Sequence, residues 1–126
     1  MKKIHILLVE NCDNEIEFFT DALEESGLSF MCNTARNVEQ AFKILKNSVP
    51  DAIFIDTNIA QSEQSHTIMK IKSLQKTPVI FYSTLMHQNL RRSNADTNFN
   101  YVQLPSSIHT LARVFKNLFI DNEIRN

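Results

Sequence analysis

One glycine, Gly27, stands in 126 residues. That scarcity excludes the glycine-rich phosphate cradles GxGxxG and GxxxxGK[ST], whose loops need several residues free to take φ > 0. Dinucleotide-binding and P-loop enzymes of the familiar kinds are excluded with them. Cys12 and Cys32 are the only cysteines, too few for a disulfide scaffold or a tetrahedral zinc site, and they read as free thiols. The four histidines are scattered without ligand spacing. Long apolar runs are missing too: none approaches the roughly 18 residues of a membrane span, so no membrane partner is expected. Ile4 to Val9 is too short for a signal-peptide core and runs straight into acidic residues, which makes the cytoplasm the expected location. A net charge of −1 offers no general surface for coating nucleic acid.

With 43% apolar and 21% charged residues, a chain of this length has enough to bury one core and no room for a second. One domain is expected over 1–126, its core over about 4–120. Charge is uneven along it. The half ending at Glu63 carries 11 of the 14 acidic side chains, and the other half carries 8 of the 13 basic ones. Differing solvated helix faces would explain that split, and so would an acidic pocket in the first half with a basic contact surface in the second.

Ile4 to Val9 is a nearly continuous apolar run rich in β-branched residues, the pattern of a strand buried on both faces. Asn11 or Asp13 can cap the helix that follows, where Ile16, Phe19 and Leu23 recur at helical spacing until Gly27 supplies a stop. Leu28 to Thr34 reads as a second strand, and Val38, Ala41, Phe42 and Leu45, after Asn37, as a second helix that Pro50 ends. Ala52 to Ile55, closed by Asp56, is a third strand. A polar loop then leads to a shorter helix marked by Ile68, Ile71 and Leu74. Pro78 opens a fourth strand over Val79 to Tyr82, Met86 to Asn98 is polar and weakly helical, and Phe99 to Gln103 is a fifth strand. Ile108, Leu111, Ala112, Phe115, Leu118 and Phe119 form the clearest amphipathic stripe. Five strands alternating with five helices predict an α/β fold, a parallel sheet with helices on both faces, because each right-handed crossover needs a helix to return the chain.

Ligand chemistry in such a sheet belongs at the carboxyl ends of the strands. Those ends are Glu10-Asn11, Asp56, Ser83-Thr84 and Leu104-Pro105. Two carboxylates at neighbouring ends can hold a hard divalent cation such as Mg²⁺ with carbonyl oxygens and waters. Each acid could equally cap a loop or a helix N-terminus.

Four segments in this order, each closing at a strand end, carry a resemblance over nearly the whole chain: Ile6-Leu7-Leu8-Val9-Glu10-Asn11, Asp51-Ala52-Ile53-Phe54-Ile55-Asp56-Thr57-Asn58, Pro78-Val79-Ile80-Phe81-Tyr82-Ser83-Thr84 and Tyr101-Val102-Gln103-Leu104-Pro105. The chain resembles the receiver domain of bacterial two-component response regulators. That resemblance implies a flavodoxin-like three-layer α/β/α sandwich with strand order 2-1-3-4-5, and a single-domain phosphorelay receiver rather than an enzyme. It implies that Asp56 accepts a phosphoryl group from a histidine kinase or phosphotransfer protein, and that Ser83 contacts that group. Tyr101 takes the place of the aromatic that turns on activation, and Glu10, Asn11, Asp56 and the Asn58 backbone carbonyl that of the Mg²⁺ ligands. The residue before Pro105 lies at a bond usually cis in the family, so a cis Leu104–Pro105 bond is expected.

The departures from the family pattern are specific. Asn11 replaces a second carboxylate, which weakens the metal site. Leu104 replaces the lysine that pairs with the phosphoacceptor and later with the phosphoryl oxygens. Ala60 stands where the family has proline and Gln64 where it has glycine, so the loop after Asp56 is expected to follow its own path. With Glu10 nearby and no lysine, like charge should push Asp56 upward in pKa.

These features frame three functions: a receiver that accepts phosphate on Asp56 with impairment from Asn11 and Leu104; a phosphorylation-independent pseudo-receiver acting as an interaction module; and a flavin or nucleotide binder outside the family. The tail Asp121 to Asn126 is too short for an output domain, so output is expected through protein contact. The face of the fourth helix, fifth strand and fifth helix, with Arg91, Arg92, Arg113 and Lys116, is the expected surface. Nothing resembles a DNA-recognition helix.

Overall fold

The computed structural model describes residues 3–62, 77–83 and 100–120. Five parallel strands, β1 (Ile4–Val9), β2 (Phe30–Ala35), β3 (Ala52–Asp56), β4 (Val79–Ser83) and β5 (Asn100–Gln103), form one sheet in the order β2-β1-β3-β4-β5. The described helices are α1 (Asp13–Ser26), α2 (Val38–Leu45), α3 (Thr57–Ser62) and α4 (Ile108–Ile120). This is the flavodoxin-like sandwich, with helices on both faces.

Side-chain alternation divides each central strand between two cores. Ile6 and Leu8 of β1, Ala52 and Phe54 of β3, and Ile80 and Tyr82 of β4 pack with Phe19, Ala22 and Leu23 of α1 and Leu111, Phe115 and Phe119 of α4. Leu7, Val9, Ile53, Ile55, Val79 and Phe81 turn the other way, toward Val38, Ala41 and Leu45 of α2 and Ile59 of α3. Burial on both faces is why these strands read as unbroken apolar runs. Ile6, Leu8, Ile53, Ile55, Ile80 and Phe115 are all buried, as their pattern predicts. Phe19 sits edge-on to Phe54 and Phe115, at 5.2 and 4.9 Å between ring centroids, and centres the first core.

Local signals behave unevenly. Gly27 ends α1 in the left-handed region at φ 77°, donating its N–H to the Glu24 carbonyl at 3.2 Å. Asn37 caps α2 by accepting from the Gln40 N–H at 2.8 Å. The cap of α1, expected at Asn11 or Asp13, is Cys12, whose side chain makes no capping bond. The polar loop expected after Asp56 is helical through Ser62: α3 begins at Thr57, and Ile59 packs into the second core. The helix expected around Ile68, Ile71 and Leu74, the segment Met86 to Asn98, Gln64, Thr84, Arg91 and Arg92 lie outside the described residues.

The Leu104–Pro105 bond, expected cis, is trans, since no cis peptide occurs among the described residues. Leu104 is 1% exposed and packs in the first core, while its N–H donates to the Ser83 carbonyl at 2.7 Å. Leucine brings no charged group to be aimed at the strand ends, so nothing opposes the ordinary trans preference of about 0.5–1 kcal/mol.

Candidate functional site

Three strand ends converge through register alone. Val9 pairs with Ile55, so Glu10 follows one residue on, level with Asp56, and Asp56 is itself paired with Tyr82 of β4. Glu10 shares the parity of Ile6 and Leu8, Asp56 that of Ala52 and Phe54, and Tyr82 belongs to the same core. Glu10, Asp56 and Tyr82 therefore form one row across β1, β3 and β4 at the carboxyl edge of the sheet. All three are buried, at 1%, 4% and 2% exposure.

Within that row the Tyr82 hydroxyl donates to Glu10 Oε1. The Cys12 N–H donates to Glu10 Oε2 at 3.2 Å, so each carboxylate oxygen has a donor. Burial pushes the Glu10 carboxyl up to about 7; the charges of Asp56 and Glu15 add to the rise, and the Tyr82 and Cys12 hydrogen bonds oppose it. Burial likewise drives the Tyr82 phenol well above its ordinary range, with Glu10 next in effect, so its proton stays on the hydroxyl. The like-charge repulsion that sequence reasoning assigns to Asp56 is thus visible at Glu10.

The other expected residues lie around this row. Asn11 is exposed at the rim, its backbone carbonyl accepting from Arg36 Nη1 at 3.3 Å. Asn58 is exposed in the first turn of α3. Ser83, fully buried, ends β4 one residue past the Asp56–Tyr82 pair and shares the parity of Val79 and Phe81. Tyr101 pairs with Phe81 through β5. Leu104 brings no charge to the row.

Two residues escaped sequence reasoning. Tyr82 read only as the end of the fourth strand's run; its one available signal was a phenol at the penultimate position of a buried strand. Arg36, directly after β2, pairs with Asp13 as well as the Asn11 carbonyl and ties the β1–α1 connection to β2. Thr57, next to Asp56, has a fully buried hydroxyl with no hydrogen-bond partner among the described residues.

The donor set suits a hard cation: two buried carboxylates at adjacent strand ends are the oxygen ligands that Mg²⁺ takes, with carbonyls and waters completing its shell. Among the described residues no group of three or more His, Cys, Asp or Glu could hold a metal ion. No described helix is long and apolar enough to cross a membrane.

Comparison with known proteins agrees with the geometry. The chain matches the response regulator receiver domain family over residues 6–111. In structure it is similar to the phosphorylated cyanobacterial phytochrome response regulator RcpA, with 24% identity, a TM-score of 0.71, and 94% of this chain and 92% of that one covered. A response regulator of R. palustris red light signaling gives 14% identity, a TM-score of 0.72 and coverage of 95% and 94%. One from Thermotoga maritima gives 21%, 0.66, and 91% and 97%. Comparison with curated proteins finds no match. The flavin or nucleotide reading, which required a fold member outside this family, falls. Receiver domains are signalling proteins that interact with histidine kinases or phosphotransfer proteins and with downstream partners, and they typically bind Mg²⁺ at their acidic pocket. By its match over most of its length, and by the strand-end acids that sheet register brings into one row, the chain belongs to the response regulator receiver domain family of two-component signalling.

Proposed function

We propose that this receiver accepts a phosphoryl group on Asp56, with an efficiency lowered by Asn11 and Leu104. The observation that carries the reading is the buried Glu10–Asp56 pair at adjacent strand ends. An Asp56 carboxylate oxygen attacks phosphorus, the N–P bond to the donor histidine breaks, its electron pair returns to the imidazole, and an aspartyl phosphate results. Glu10, Asp56, Asn11 and the Asn58 carbonyl would hold Mg²⁺, which would supply positive charge against the transferring group. Ser83 supplies a hydroxyl to a phosphoryl oxygen. Phosphoryl transfer depends on positioning and charge stabilisation, and loss of one such contact generally lowers rates by about 10²–10³. Leu104 removes one.

A specific observation favours a second reading, a phosphorylation-independent interaction module: at the position of the family's lysine stands Leu104, an uncharged side chain buried in the same core as Tyr82. Incubation with acetyl phosphate and Mg²⁺, followed by intact-mass measurement, separates the two. The first reading expects slow addition of one phosphoryl group, abolished in Asp56→Asn, and faster addition with tighter Mg²⁺ binding in Asn11→Asp. No adduct on the wild type at any Mg²⁺ concentration would leave the interaction module as the function.

A further inference from the structure

Strand β3 lies between β1 and β4, so the Tyr82 hydroxyl meets Glu10 only by reaching across the strand whose last residue is Asp56. Two strand spacings separate the backbones, about 9.6 Å, a gap that a phenol and a glutamate side chain can close between them. The phenol has little freedom to leave. Its ring is 2% exposed and packs against Phe19 and Phe54, at 5.9 and 6.4 Å between centroids. A buried, clamped donor thus meets one oxygen of Glu10 while the Cys12 amide meets the other. A carboxylate has about four lone-pair sites, so each oxygen keeps one for a cation.

We infer that Tyr82 is the positioning residue of the acidic row, its hydroxyl holding the Glu10 carboxylate oriented to bind a divalent cation together with Asp56. The inference rests on the cation site proposed above and adds the residue that orders it. Neither donor to Glu10 is charged, so the row keeps the negative charge a cation needs while satisfying the buried oxygens. A lysine at the same place would offset that charge. Hydrogen-bond partners of this kind generally affect metal affinity by about 10–100-fold.

Tyr82→Phe keeps the ring in the aromatic cluster and removes the hydroxyl alone. Calorimetric Mg²⁺ titration of the full chain is expected to show binding at least about tenfold weaker in Tyr82→Phe than in the wild type. Unchanged or tighter binding, or a wild type that binds no Mg²⁺, overturns the inference. A second measurement does not depend on that variant folding. Tyr101→Phe leaves Tyr82 as the sole tyrosine in a chain without tryptophan. Mg²⁺ is expected to perturb its near-ultraviolet band, and a silent band at saturating Mg²⁺ overturns the assignment. A wild type that binds Mg²⁺ but takes no phosphoryl group from acetyl phosphate would sink the phosphoacceptor reading and leave Tyr82 in its role.

Discussion

Glu10 shows how one side chain's surroundings reach into the stability of the whole chain. Its carboxyl is held near 7 against an ordinary 4.5, so the folded protein binds that proton more tightly than the unfolded one. The stability contributed this way is complete below about pH 4.5 and is lost as pH rises through about 7. At 1.36 kcal/mol per unit the effect is on the order of 3 kcal/mol. Thermal melts in metal-free buffer should therefore fall from pH 5 to pH 8 in the wild type and much less in Glu10→Gln; parallel curves would show that Glu10 titrates in the fold as it does outside it. Thr57 presents the opposite situation, a buried hydroxyl that gains nothing from burial among the described residues. Thr57→Val removes the unsatisfied group and is expected to raise stability by about 1 kcal/mol in urea unfolding, whereas a loss would reveal a bond to that oxygen.

At the scale of elements, the helix ends differ in what holds them. Gly27 is at φ 77°, and a Cβ built there meets nothing within 4 Å. Gly27→Ala should then lower stability through backbone strain alone, by about 1–2 kcal/mol, with no change in the surrounding packing. A melting temperature equal to the wild type would show that the turn relaxes. The Asn37 side-chain cap is settled by chemistry just as local, though the sequence was read only for the helix after it. The Gly27 stop was legible in the sequence because it too is settled within four residues. The start of α3 was not. Only Ile59 and Ala60 are apolar in that stretch, and Ile59 makes it helical by packing into a core assembled from residues far away in sequence.

For the molecule as a whole, the question is how far a change at Asp56 travels. Arg113 and Lys116 lie exposed on α4, on the face proposed for partner contact. Without a lysine at position 104 the phosphorylated state lacks a charge-assisted contact of a kind worth about 1.5–3 kcal/mol, enough to move a two-state equilibrium roughly ten- to a hundredfold. Beryllium fluoride with Mg²⁺ is therefore expected to shift amide resonances at the strand ends strongly and those of α4 only weakly. Large shifts along α4 would show that the switch operates without its lysine.

The sequence by itself determined the layered fold and which residues stand at the strand ends. Apolar runs, one glycine and the order of the motifs are local information, and parallel strands buried on both faces state their burial in every residue. Asp56 and Glu10 were legible for the same reason, each closing such a run. The tertiary structure alone decided what those carboxylates meet. Tyr82 stands 72 residues from Glu10, and its ring has the same apolar appearance in the sequence as its neighbours in β4. Only the register of β1, β3 and β4 puts its hydroxyl on Glu10. Leu104 depends on the fold in the same way: the motif put it at the site, and the structure buries its side chain in the core that also holds Tyr82 and Leu111. A hydrogen-bond partner or a burial site depends on the distance between side chains, and sheet register sets that distance where sequence separation does not.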